Sequence, residues 1–408
     1  MDFLKRHNLS DPVCLYKWGW STVRLFLGTT NSCHRVDSDR ITPETYADFH
    51  NTPAKMADRT KMLNGQWPGR GCEYCKNLEA VGAESDRLQL NNDDRSERLS
   101  PINTSKTNVK LIPTIVEVYF NNLCNMGCIY CSSDYSTVWE VEDKKFGLKS
   151  ELDIKELERG RAEYPAMLAA HWQWLKDNCH GIKEYNILGG EPFFQLELEA
   201  NIDFFENNPC PDLHFTVLSN LKVDKNKFKR MLDKIQQLLD KKHIKSFELV
   251  CSLDCWGPQA EYIRNGLNIS KWEENFNILL NDYPKFELHI HSVLMSLTLD
   301  TLPDLIGKLN QWNVLRPVSH SINFVEGKPE MMPGIFPKGY FAKQFDLAVD
   351  LSTVEGEKNR LRGFERLIDS SESSPELVAK LKQTLDEFDI RRATNWRTLW
   401  PWLDQYKD

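Results

Sequence analysis

The chain has 408 residues, 41% of them hydrophobic, a formal net charge of -8 and eleven cysteines. That length leaves room for roughly two or three domains with a sizeable core, and the acidic balance argues against a general polyanion-binding surface, so nucleic acid is not an expected partner. With no long apolar run and no signal-peptide pattern, the expectation is a soluble cytoplasmic protein without a membrane partner, in a reducing compartment where thiols stay available for metal.

In chain order, Thr22-Val23-Arg24-Leu25-Phe26-Leu27 is strand-like and Gly28 is a natural turn residue. A hairpin is expected there, with Cys14 and Cys33 facing each other at its base. Cys72-Glu73-Tyr74-Cys75 follows, and four thiolates can fully ligate one iron-sulfur cluster or one zinc ion. A thioredoxin-like role for Cys72 and Cys75 lacks its βαβ context. Residues 89 to 110 are polar, charged and nearly devoid of large apolar side chains, which reads as a linker.

From about 111 to 330, strand-like and helix-like runs alternate, with strands near 114–120, 184–188, 214–219, 247–253, 286–294 and 318–325. Six such units predict an α/β fold with a partial (β/α)6 TIM-like barrel. The first strand leads into Cys124-Asn125-Met126-Gly127-Cys128-Ile129-Tyr130-Cys131. Three thiolates on one loop can hold an iron-sulfur cluster and leave a fourth iron without a protein ligand, and a strand end is where α/β folds place ligands. Zinc usually closes with four ligands, so it fits this triplet less well.

The second strand runs into Gly189-Gly190-Glu191-Pro192, where two glycines let the backbone approach a ligand and Glu191 can accept hydrogen bonds from an ammonium. Two further strands finish in polar residues, Ser219-Asn220 and Ser252-Leu253-Asp254. Between them, Phe228, Met231, Leu232, Ile235 and Leu239 recur at helical spacing, so the surrounding lysines read as a solvated helix face. His289 and His291 share one face of the fifth strand and read as structural histidines. Cys179, Cys210 and Cys251 read as core thiols. In the tail, Ser374 is an expected N-cap with Pro375 in the first turn, and Trp396, Trp400 and Trp402 an expected docking face.

Together these motifs resemble the radical SAM superfamily, in which CxxxCxxC carries a 4Fe-4S cluster whose free iron chelates S-adenosylmethionine (SAM). The resemblance implies Cys124, Cys128 and Cys131 as cluster ligands, Tyr130 beside the adenine, and Gly189, Gly190, Glu191 and Pro192 as the motif that receives the methionine amino group. It places Ser219 and Asn220 at the mouth of the cofactor site, and Ser252 and Asp254 at the ribose end. Glu261-Tyr262-Ile263-Arg264-Asn265-Gly266 resembles the family's Tyr-x-Arg-x-Gly stretch, with Arg264 pairing the SAM carboxylate.

Cys14, Gly28 and Cys33 have the spacing of the pattern that opens SPASM and twitch domains of these enzymes. With Cys72 and Cys75 they imply one auxiliary cluster, of 4Fe-4S type, in a twitch-like module that here precedes the core. The implied organisation is a module at 1–88, a linker at 89–110, the core barrel at 111–330 and a helical extension at 331–408. The implied activity is reductive cleavage of SAM to a 5'-deoxyadenosyl radical, with electrons from a flavodoxin- or ferredoxin-type donor. That radical abstracts hydrogen from a peptide, protein or small-molecule substrate in a maturase-type oxidoreductase reaction, and Cys255 could return a hydrogen atom to the substrate radical. The competing class is a non-catalytic zinc-binding interaction or RNA-binding protein.

Overall fold

A computed structural model describes residues 3–80, 84–92 and 110–406, so most of the expected linker, 93–109, lies outside the described residues. The chain forms two compact units. The first comprises Met1–Asn122, Lys149–Val217 and Lys234–Phe247; the second comprises Leu123–Leu148, Leu218–Asp233 and Glu248–Asp408.

Strands of the first unit are β1 (Trp20–Arg24), β2 (Thr29–Asn31), β3 (Asp39–Arg40), β4 (Ile115–Tyr119), β5 (Glu184–Leu188) and all but the last two residues of β6 (Cys210–Ser219), in the spatial order β3-β2-β1-β4-β5-β6. β1 and β2 are antiparallel, Thr22 opposite Asn31, and the expected turn glycine, Gly28, has a φ of +64° that suits a residue without a Cβ. β1 then runs parallel to β4, from Trp20 opposite Ile115 to Arg24 opposite Tyr119. The segment expected as a module of its own, 1–88, therefore contributes three strands to the sheet that contains β4. The physical reason lies in β1, whose Ser21, Thr22 and Val23 are all buried, as a strand covered on both faces requires.

β4 and β5 are parallel, as are β5 and β6. Their core is Ile115, Val116, Val118, Tyr185, Ile187, Phe215 and Val217, all buried. Helix Glu151–Asn178 begins on a capping box between Ser150 and Asp153 and buries Leu157, Met167, His171, Trp174 and Leu175. His171 is held between two tyrosines, Nδ1 at 2.7 Å from Tyr46 Oη and Nε2 at 2.9 Å from Tyr185 Oη.

β7 (Ile244–Ser252) starts in the first unit and ends in the second, where β8 (Glu287–Leu294) and β9 (Ser319–Phe324) run parallel beside it. All six expected strands from β4 to β9 are thus present, alternating with helices. In helix Lys225–Asp240, Phe228, Met231, Leu232 and Ile235 are buried, and Leu238 completes the stripe in place of the expected Leu239. The lysines around them are engaged in surface ion pairs, such as Lys225 with Glu274 at 2.8 Å and Lys229 with Asp282 at 2.9 Å.

In the tail, Ser374 Oγ accepts from Leu377 N at the start of helix Pro375–Arg392. Trp396 and Trp400 are fully buried, and Trp400 donates from Nε1 to Leu297 O and meets Tyr262 edge-on at 5.2 Å. Among the described residues no helix is long and apolar enough to cross a membrane.

Candidate functional site

The cysteine loop of the second unit is fixed by its backbone. Gly127 N donates to Asn265 O and Ile129 N to Ile263 O, both at 2.9 Å. On the other side, helix Thr137–Phe146 ties the loop down at its N-terminal end: Ser136 Oγ donates to Met126 O, Thr137 Oγ1 to Cys124 O and Trp139 Nε1 to Cys128 O. With those carbonyls taken up, the three thiols are placed by a rigid frame. Burial pushes the Cys131 thiol up to about 12, with Cys128 adding to it. Cys128 is also raised by burial, against the pull of Arg264 and Arg392. Iron would have to displace these protons.

Two polar segments meet this loop within the unit. Asn220 Nδ2 donates to Asn125 Oδ1 at 3.0 Å and lies 4.0 Å from Cys124 Sγ. The following Leu221 has a φ of +55°, which costs a branched residue about 1–2 kcal/mol. Its carbonyl is held there by Asn275 Nδ2 at 3.0 Å. Ser219 Oγ accepts from Leu221 N in the same turn. The strained turn after the strand end is what presents Asn220 to the cysteines.

The second segment links Tyr130, Asp254 and Arg264. Asp254 accepts from Tyr130 Oη at 2.8 Å, from Arg264 Nη2 at 2.7 Å and from Val293 N at 3.0 Å. The Arg264 guanidinium lies 5.7 Å from the Tyr130 ring centre. Burial disfavours its charge, but Asp254 more than restores it, so its pKa stands above the ordinary value. Arg264 Nε is buried and has no hydrogen-bond partner among the described residues. Ser252 ends β7, buried and opposite His291.

Cys255, next to Asp254, is fully buried, and burial pushes its thiol up to about 12. His289 bonds Ser319 and Ser321, and His291 bonds Ser321. Burial lowers the pKa of both histidines, so they are neutral, satisfied structural groups as expected.

The Gly189-Gly190-Glu191-Pro192 segment follows β5 in the first unit. Gly189 and Gly190 have φ of +78° and +55°, and a Cβ on Gly189 would stand 2.2 Å from the Tyr119 ring, so only glycine fits there. Gln195 Nε2 donates to Gly189 O at 3.2 Å. Glu191 is buried and its Oε1 accepts from Phe193 N at 3.1 Å, capping the short turn Pro192–Phe194.

The N-terminal cysteines are also in the first unit. Cys14 and Cys72 share an apolar cluster with Phe3, Leu4, Val13, Trp18 and Met62. Gly71 has a φ of +95°, and a Cβ on it would come 2.0 Å from Arg35 O. This close backbone approach brings the Cys33 segment against the Cys72 segment, with Asp37 N donating to Arg70 O at 3.2 Å. Each of the four thiols acts electrostatically on at least one other. Burial raises Cys14 and pushes Cys33 up to about 11, while the ammonium of Lys17 pulls both down. Lys17 is itself buried in an ion pair with Asp58 at 2.7 Å.

A single zinc ion would hold thiolates at ~3.8 Å from one another. Neither the loop triplet nor the N-terminal quartet closes so tightly; the group of three metal-capable side chains within 4.8 Å of one another, among the described residues, is Cys179, His180 and Cys210.

One residue of the site was not foreseen. Arg392, at the end of helix Pro375–Arg392, binds Glu142 through Nε at 3.0 Å and lies 5.0 Å from the Trp139 ring centre. Its Nη1 and Nη2 are buried without partners among the described residues, and its charge reaches Cys128. Nothing in the sequence marks it: the pair Arg391-Arg392, far along the chain from the cysteine loop, belongs to no spacing pattern.

No family model matches the chain, and no curated protein matches it. Among solved structures it is similar to Streptococcus suis SuiB bound to S-adenosylmethionine, with 13% identity and a TM-score of 0.38 over 84% of this chain and 69% of that one. A second structure of Streptococcus suis SuiB gives 13% identity and 0.35 over 98% and 76%. TYW1 with a lysine-pyruvate adduct bound gives 18% identity and 0.31 over 56% and 70%.

Proposed function

We propose that the chain is a radical SAM enzyme, with strands β4 to β9 as an open barrel core and a peptide or protein as its substrate class. The observation that carries this is local to the second unit. A CxxxCxxC loop is hydrogen-bonded to Ile263 and Asn265, and the residue between them, Arg264, has a buried Nε without a hydrogen-bond partner among the described residues. A ligand carboxylate is the group that such an arginine accepts best.

Cys124, Cys128 and Cys131 would hold a 4Fe-4S cluster, and Arg264, fixed by Asp254, would orient the SAM carboxylate. Tyr130, pinned through its hydroxyl to the same Asp254, keeps its ring beside that position. Glu191, Gly189 and Gly190 are suited to the methionine ammonium, and Ser219, Asn220 and Ser252 to the remaining polar groups of the cofactor. When bound, cluster and SAM supply a 5'-deoxyadenosyl radical that abstracts a substrate hydrogen. Cys14, Cys33, Cys72 and Cys75 would hold an auxiliary cluster, with Lys17 offsetting part of its negative charge. Electrons would come from an external flavodoxin- or ferredoxin-type donor.

Anaerobic purification tests this directly. Brown protein containing iron and sulfide, which forms 5'-deoxyadenosine and methionine from SAM with dithionite, is the expected result. Colourless protein with stoichiometric zinc at these cysteines and no SAM cleavage would replace it with a zinc-binding interaction protein.

A further inference from the structure

We propose that Cys179, His180 and Cys210 form a separate site for one zinc ion. Their ligand atoms all lie within 4.8 Å of one another, and Cys210 Sγ is 3.9 Å from His180 Nδ1. Tetrahedral zinc with Zn–S of ~2.3 Å and Zn–N of ~2.0 Å places sulfur and nitrogen ~3.5 Å apart, so the pair needs to close by only ~0.4 Å.

The position in the fold separates this site from the one above. Cys179 closes helix Glu151–Asn178, its N–H bonded to Leu175 O, and opens the turn Cys179–Gly181 that precedes β5. Cys210 is the first residue of β6. Both cysteines therefore stand at the N-terminal ends of their strands, whereas Gly189–Pro192 follows the far end of β5.

Two soft thiolates with one imidazole suit zinc and exclude calcium and magnesium, which take oxygen ligands. Both cysteines are buried while His180 is exposed, so the imidazole side offers the entry path and the fourth position faces water. Binding forms two Zn–S bonds and one Zn–N bond and releases the two thiol protons to solvent, with no electron transferred. The ion would staple the helix end to the first residue of β6.

The test uses the cluster-loaded full chain, a Cys179→Ser/Cys210→Ser double variant and a His180→Ala variant, each equilibrated against buffered zinc and counted by plasma mass spectrometry. The parent should carry one zinc per chain more than the double variant at equal iron, and zinc should raise the parent's Tm alone. His180 is exposed, so His180→Ala keeps the fold; it should weaken zinc binding by at least about tenfold, because a tetrahedral ion loses one of its three protein ligands. Equal zinc in the parent and both variants overturns the proposal. So does a zinc-free parent whose Cys179 and Cys210 peptides are joined and two hydrogens lighter, which would make the pair a disulfide.

Discussion

Arg264 donates from Nη2 to Asp254 at 2.7 Å while its Nε, equally buried, meets no partner among the described residues. The pairing explains how a charge can wait in the interior. Asp254 also takes Tyr130 Oη and Val293 N, so its carboxylate is held from three sides. Removing either partner would strand the other charge, at a cost of about 3–5 kcal/mol. The arrangement therefore fixes the guanidinium and leaves one donor for a ligand.

Arg264→Lys should keep the charge beside Asp254 but delete the Nε donor and the planar fork. Losing one charge-assisted hydrogen bond costs about 1.5–3 kcal/mol, which weakens SAM binding roughly ten- to a hundredfold. Iron content should be unchanged. Equilibrium dialysis with labelled SAM reads the affinity, and parent-like binding in a folded, iron-loaded variant would remove Arg264 from the cofactor site.

Glu191→Gln makes a parallel case in the first unit. The amide oxygen can still cap Phe193 N, so the turn Pro192–Phe194 should survive. What disappears is the charge proposed to face the SAM ammonium, which should cost about 1.5–3 kcal/mol, roughly ten- to a hundredfold in SAM affinity. Unaltered affinity would return the two glycines and their glutamate to an ordinary turn.

Much of this was legible beforehand, and the limits have physical causes. β5 was readable to the residue because a short strand-like run is cut off by two glycines, both of which take positive φ. The loop cysteines were readable because close spacing on one segment survives any fold. The β1–β4 pairing was not, since it joins residues about a hundred positions apart and parallel pairing leaves no turn signal. Arg264 could be named from its motif, but its bond to Asp254 is a contact across ten residues that no periodicity encodes. Cys179, His180 and Cys210 were invisible as a group for the same reason, Cys210 lying thirty positions beyond His180.

His171 predicts an acid-sensitive fold. Burial lowers its pKa from 6.5 to about 3, so the folded chain keeps it neutral between two tyrosines while the unfolded chain protonates it. A depressed folded pKa means the unfolded state binds more protons, so this contribution is complete above about pH 6.5 and falls as pH drops towards 3. Between pH 7.5 and 5.5 the loss should be about 1.4 kcal/mol. His171→Gln retains a donor and an acceptor but cannot titrate, so its Tm should fall less over that interval than the parent's. Equal falls would mean that His171 does not couple to folding.

The N-terminal cysteines give the most discriminating prediction, because two different changes should produce the same loss. Cys72→Ala with Cys75→Ala removes two thiols; Gly71→Ala removes none. Yet a Cβ at position 71 would lie 2.0 Å from Arg35 O at a φ of +95°, so the Cys33 and Cys72 segments could no longer meet. Both variants should drop from roughly eight irons per chain to roughly four if both clusters are of the four-iron type. Dithionite-driven formation of 5'-deoxyadenosine should persist in both, since Cys124, Cys128, Cys131 and Arg264 are untouched, while the modified product disappears. A purely structural metal would act otherwise: the apolar cluster around Cys14 and Cys72 would loosen, β1 would lose its support beside β4, and Tm and SAM cleavage would fall together. Full iron in Gly71→Ala would show that the two segments need not touch to hold the cluster. A collapse of SAM cleavage in both variants would make the N-terminal strands a scaffold and end the case for an auxiliary cluster acting on substrate.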